Sequence, residues 1–234
     1  MKRAYREARV ASAEGGWRIL LDARILQTPA RASLLLPTRG LAEAVAAEWA
    51  AQKETIVPAS MPLMRLAATA IDRVEPQRDK IIDEVAGYAE TDLVCYRAER
   101  PADLVARQHV VWQPLVDWAT LHFDAPLLVA TGVLPRRQPP EVLAAIRRAV
   151  AARDTLPLTG LHAATTACGS VVVGLALAEG RLDVEGAWQA AQLDETYQIE
   201  QWGEAPEATA RRAELRRDLD ATSSFLRLLS PATA

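Results

Sequence analysis

Histidine, cysteine and phenylalanine are scarce in this chain of 234 residues, which holds three, two and two of them. Each shortage removes a class of function. His109, His122 and His162 have no second His or Cys at a helical ligand spacing, and HExxH is absent, so no metal site can be read from them. Cys95 and Cys168 form neither a CxxC pair nor a disulfide framework, which fits a reducing compartment. Phosphate-cradling loops are missing as well. There is no Walker loop and no G-x-G-x-x-G, and Ser170 does not sit in a G-x-S-x-G elbow. A net charge of -3 without a basic stripe argues against nucleic acid as a partner. Lys2, Arg3, Arg6 and Arg9 are the one basic concentration, and they read as a solvated strand edge. The opening MKRAYREARV lacks the apolar stretch of a secretory signal and the Ser-rich, acid-free run of a transit peptide, so a cytoplasmic location is expected. No catalytic residue, no metal and no cofactor is expected.

One run lacks charge altogether. Thr155 to Ala178 holds no Asp, Glu, Lys or Arg and is long enough to cross a bilayer. It also contains Pro157, Gly160, His162, Gly169, Gly174 and four threonines, with no flanking basic cluster. A buried central helix is therefore expected, and no membrane insertion.

What is present predicts an α+β fold. Tyr5–Val10, Trp17–Leu21, Ile25–Leu26 and Leu34–Leu36 read as short strands. Glu14-Gly15-Gly16 and Asp22-Ala23-Arg24 supply turns, giving an antiparallel meander. The pattern then turns helical. Thr38 is a candidate N-cap, with Leu41, Val45 and Trp49 on one stripe. Leu63 to Ile71, then Ile81, Ile82, Val85 and Tyr88 after Pro76, continue it. Pro101 opens a helix whose apolar positions cover more than one face, so it should be largely buried. Ala125–Leu134 is ambiguous, 136–140 is a loop, and 141–152 is a short amphipathic helix. Asp183 caps a helix running to about Trp202, and Pro206 starts the last one. The expected organisation is a small N-terminal α+β domain over residues 1–75 and a larger all-α helical bundle domain over 76–234.

Tryptophan is in excess, six against two Phe. Trp112, Trp118 and Trp188 lie on apolar helical faces and read as core. Trp49 and Trp202 lie near helix ends, where Trp serves as core or as a binding anchor. The helix from Asp183 carries a stripe Val184, Trp188, Ala191, position 195, Trp202, and position 195 is Glu. A lone buried charge is costly. Glu195 is therefore either paired with an arginine of the last helix (Arg211, Arg212 or Arg216), or it joins Asp194 and Glu200 in an acidic rim made to receive a partner protein.

Six stretches carry a resemblance: GGWRILLDARILQTP (15–29), AVAAEWAAQKETI (44–56), MPLMRLAATAIDR (61–73), ETDLVCYR (90–97), WQPLVDWA (112–119) and LDETYQIEQWG (193–203). In this order they resemble the F1-ATPase assembly chaperone family, the branch acting on the α subunit. The resemblance implies a non-enzymatic, cofactor-free protein that binds the unassembled F1 α subunit, prevents its aggregation and releases it as α pairs with β. It also implies a small β-containing domain before a helical one. Eukaryotic members carry a mitochondrial leader, so a bacterial relative is implied, and a monomer when free. Trp49 matches a tryptophan whose loss the family does not tolerate. Asp194 matches an acidic position that is typically Glu, a role Glu195 can share. The expected partner-binding residues are thus Trp49, Asp194, Glu195, Glu200 and Trp202. Two alternatives stand beside this: a hydrolase using Cys168 or the Asp194–Glu195 pair, and a structural adaptor.

Overall fold

Glycine and the turn at Asp22 set the first strands. The computed structural model describes residues 2–132 and 136–230. Strands β1 (Ala8–Ala13) and β2 (Gly16–Leu21) meet through Gly15, at φ +79, and a Cβ on Gly16 would collide with the Leu36 carbonyl oxygen. Strand β3 (Arg24–Ile25) follows Asp22, which is left-handed at φ 54. The sheet order is β1-β2-β3, all antiparallel, with Ala8 opposite Leu21 and Leu20 opposite Ile25. This is the expected meander. The expected strand at Leu34–Leu36 reduces to isolated bridges, Trp17 to Leu36 and Gln27 to Ser33. The reason is that β3 and Leu26 occupy the far half of β2, so only its first residues, Gly16 to Arg18, are left on that edge. Leu26 already donates to the Ile19 carbonyl at 2.8 Å, and Leu36 pairs there with Trp17 through two bonds.

Helix α1 (Arg39–Ala50) starts where predicted, the Thr38 hydroxyl accepting from Leu41 N–H at 3.2 Å. Leu41, Val45 and Trp49 all face inward and are buried. Helix α2 (Pro62–Thr69) is tied to α1 by Glu48, whose carboxylate accepts from the N–H groups of Leu63 and Met64, both at 2.8 Å. The chain divides into two units. The first runs to Arg78 and takes in Thr155–Gly160 and everything from Ser224; the second is Asp79–Asp154 with Leu161–Ser223. Phe225, from the end of the chain, is fully buried in the first unit's core beside Ile19, Leu34, Leu36 and Leu41.

Beyond α3 (Arg78–Gly87) the chain holds β4 (Tyr96–Arg97), α4 (Ala102–Phe123), β5 (Ala130–Thr131), α5 (Pro140–Ala151), α6 (Thr155–Cys168), α7 (Val171–Ala178), α8 (Val184–Ala191), α9 (Leu193–Trp202) and α10 (Pro206–Leu229). The two-residue parallel pair β4–β5 adds a small ladder to a part that periodicity reads as purely helical. The last two residues of the ambiguous stretch, Val133 and Leu134, lie outside the described residues. In the second unit Val171 to Leu177 is buried at every position, so α7 is a central helix. Among the described residues no helix is long and apolar enough to cross a membrane.

Three helical expectations need correction. The uncharged run is two helices, not one. Gly169 turns left-handed at φ 65, and Ser170 caps α7 by accepting from Val173 N–H at 3.0 Å. The helix capped by Asp183, whose carboxylate accepts from Gly186 N–H at 2.7 Å, also breaks, at Gln192. There the Trp112 indole donates to the Ala190 carbonyl at 2.8 Å, the oxygen that a continuous helix would give to Asp194 N–H. The break alters the register, so Glu195 faces solvent and not the core. Finally, α4 buries Trp112, Leu115 and Val116 but leaves Val110 70% and Leu121 86% exposed.

Candidate functional site

Helix α9 lies against α4 through paired polar groups. The Tyr197 hydroxyl donates to both carboxylate oxygens of Asp103 at 3.0 Å, and burial together with that bond raises its pKa. One turn earlier, Asp194 accepts from Gln108 Nε2 at 2.8 Å. Gln108 is buried, and its Oε1 accepts from Ala98 N–H at 2.8 Å, so Asp194 anchors the approach to α4. On the outer side Arg107 reaches Glu200 at 2.6 Å, a contact that raises the arginine's pKa, and its guanidinium lies 5.2 Å from the Tyr197 ring centroid.

A groove of about 580 Å³ opens next to these pairs, within the second unit. Its walls come from α4 (Arg107, Val110), α8 (Trp188), α9 (Leu193, Thr196) and α10 (Arg212). Trp188 is half-buried and stacked by two cations, Arg212 and Arg216, at 5.5 and 5.6 Å from the ring. Arg216 also bonds Glu185 at 2.8 Å, which holds that carboxyl below its ordinary range. An apolar floor inside a ring of paired charges is the layout of a protein-binding surface.

The five expected site residues divide. Asp194, Glu195, Glu200 and Trp202 share α9. Glu195 is exposed and has no hydrogen bond or ion pair among the described residues; Arg212 goes instead to Thr196 and Glu204, and Arg216 to Glu185 and Asp220. Trp202 is 78% exposed at the helix end. Trp49 belongs to the other unit and is only 9% exposed. Its ring meets Tyr5 edge-on at 5.8 Å, and its carbonyl accepts from the Tyr5 hydroxyl at 2.7 Å. Sequence reasoning did not single out Val110, and it placed Trp188 in the core.

Val110 offers a prediction. Val110→Arg should leave thermal stability within about 0.5 kcal/mol, as for an ordinary surface change. It should weaken partner binding about tenfold or more, because it puts a charge on the groove's apolar floor. Titration calorimetry with an intact-fold control checks both halves.

Chemistry is poorly served here. Among the described residues no three His, Cys, Asp or Glu side chains form a metal-holding group. Both thiols are buried and free, and burial, aided by the nearby Asp92, pushes Cys95 and Cys168 up to about 12. Nucleophilic cysteines need the opposite shift.

Comparison with known proteins points to a family of chaperones. The family model described as ATP12 chaperone protein matches residues 2–120. The mitochondrial protein atp12 of Schizosaccharomyces pombe is 24% identical over 208 residues, covering 81% of this chain and 69% of its own length. The crystal structure of Atp12 from Paracoccus denitrificans superposes with a TM-score of 0.93 at 41% identity, covering 98% of both chains. A protein of Agrobacterium tumefaciens proposed to be a chaperone gives 0.92 at 42%, covering 98% of this chain and 86% of that one.

Proposed function

The chain belongs to the ATP12 chaperone family, and from that premise we propose that it binds the unassembled α subunit of F1-ATPase, shields it from aggregation and releases it as β arrives. A free subunit exposes apolar surface meant for its neighbour, and such surface aggregates. The chaperone needs a matching patch and no chemistry. Release needs only a better interface on β. The observation that carries this reading is the α4–α8–α9–α10 groove lined by exposed Val110, with the exposed Trp202 and the unpaired Glu195 on α9, the helix that supplies one of its walls. In this reading Asp194, Glu195, Glu200 and Trp202 form the binding face. Trp49 serves it from a distance, by holding the first unit folded. The free protein is a monomer.

A pull-down with F1 subunits expressed one at a time tests the assignment. The α subunit alone should be retained; retention of β alone, or of neither, contradicts it. Asp194→Lys is expected to lower affinity for α more than tenfold, because it reverses charge on the rim. The same change also removes the acceptor for Gln108 and should cost about 1–2 kcal/mol of stability. Denaturant titration measures the second effect and keeps the two apart. An unchanged affinity would remove Asp194 from the face.

A further inference from the structure

Strand β1 is an open edge, and the phase of its ladder can be read. Asp22 N–H donates to the Glu7 carbonyl at 3.1 Å, and Ala8 stands opposite Leu21. Antiparallel pairs alternate, so Glu7, Arg9, Ala11 and Ala13 turn their backbone groups toward β2. On the far side of β2 the bond from Leu26 N–H to the Ile19 carbonyl fits the same phase. Ala8, Val10 and Ser12 therefore point their N–H and C=O groups outward. No described residue hydrogen-bonds to them there. Free strand edges are templates for a further strand.

The edge is also shaped and charged. A groove of about 560 Å³ runs beside it, walled by Ala8, Arg9, Val10, Trp17, the ion-paired Arg39 and Glu43, and the small residues Ala46, Ala47 and Ala50 of α1. Small walls leave room for side chains that an added strand would bring. Lys2, Arg6 and Arg9 are exposed around the edge. Three carboxylates stand there: Glu7 lies 3.8 Å from Arg9, Asp22 accepts from the N–H groups of Arg6 and Glu7, and Glu43 pairs with Arg39, which leaves Lys2 and Arg6 without an ion-pair partner among the described residues. This excess of positive charge works against a second copy of the same edge, which would bring like charges together, and it favours an acid-bearing segment.

We propose that β1 takes up an extended segment of the client by strand addition, one with acidic residues flanking small apolar ones. Main-chain bonds to Ala8, Val10 and Ser12 would give affinity, and the alanine-walled groove would select side-chain size. This rests on the client reading above and adds a second contact, in the first unit.

Residue-resolved hydrogen exchange on the full chain, alone and with purified F1 α, tests it. The amides of Ala8, Val10 and Ser12 should exchange freely alone and slow at least tenfold in the complex, since they acquire acceptors only there. The Arg9 and Ala11 amides should be protected in both. Ser12→Pro removes one outward N–H and leaves the β1–β2 ladder whole. It should weaken binding about tenfold, as loss of a main-chain bond at an interface does. Arg9→Glu should weaken it and reduce its salt dependence. Binding with unchanged exchange at Ala8, Val10 and Ser12 overturns the edge proposal alone, whether or not Ser12→Pro folds. No binding of α by the unaltered chain overturns both readings. Protection that rises with concentration in the protein alone, with a dimer in sedimentation, assigns the edge to a second copy and overturns the client assignment.

Discussion

Trp49→Arg is expected to destabilise the first unit by about 4 kcal/mol or more, from loss of a large buried side chain and burial of a charge without a partner. The position explains the size. Trp49 closes the last turn of α1, packed with Leu41, Val45 and Met64 in the first unit's core. It also secures the N-terminal segment. Tyr5 stacks edge-on against it and bonds its carbonyl, Arg3 lies 4.6 Å over the Tyr5 ring, and the Arg3 guanidinium reaches the Gln52 carbonyl. An arginine at 49 would therefore loosen β1 and α1 together. Client protection should vanish because the unit unfolds, with a loss of circular dichroism and a broadened or lower Tm. A second variant separates folding from contact. The Trp49 indole N–H is buried without a hydrogen-bond partner among the described residues. Trp49→Phe thus gives up no bond, and should keep the fold and most of the chaperone activity. A Trp49→Phe protein that is folded but inactive would mean that the indole itself touches the client.

The second large effect concerns Asp92. Its carboxyl is fully buried, accepting from Ser170 Oγ at 2.6 Å, Val172 N–H at 3.1 Å and Val94 N–H at 3.2 Å. Burial pushes its pKa up to about 6, and these donors pull back only part of that rise. The sign of the pH effect follows. Below about pH 4 the carboxyl is protonated in both the folded and unfolded chain, using the ordinary aspartate value. Between about 4 and 6 the folded chain keeps the proton that the unfolded chain has lost, so stability falls as pH rises. Above about pH 7 the penalty is constant, at about 3 kcal/mol for a shift of about two units. Asp92→Asn cannot titrate. Measured against the wild type, its relative stability should rise by about 2 kcal/mol between pH 4 and pH 6.5. Denaturant midpoints across that range check it, and a difference independent of pH would refute the assignment. Below pH 4 the variant should be the less stable of the two, because an amide nitrogen turned toward the N–H of Val172 cannot accept from it.

Local signals in the sequence were legible, and long-range ones were not. The caps at Thr38 and Asp183, the turn at Gly15 and the inward stripe Leu41, Val45 and Trp49 depend on near neighbours, and each stands where residue chemistry places it. The break at Gln192 depends on an indole 78 residues before Ala190, and the break at Gly169 is reinforced by Asp92, also 78 residues before Ser170. No window of helical periodicity contains either partner. For the same reason Glu195 looked like a charge on an apolar stripe. Phe225 and the start of α6 join the first unit from the far end of the chain, which no reading of the first 75 residues reveals. The β4–β5 ladder is two residues per strand, too short for alternation to show. As for the candidate site, LDETYQIEQWG coincides with α9, one wall of the proposed groove. The groove beside it is assembled by four helices, and Val110 becomes visible only once its neighbours leave it uncovered.

Light scattering of purified F1 α at a temperature where it aggregates tests the central claim most directly. Adding this chain at equimolar ratio should suppress the rise, and adding β should then draw α into α–β pairs with the chaperone left free. Aggregation of α at its unassisted rate, in the presence of the folded chain, would contradict the account.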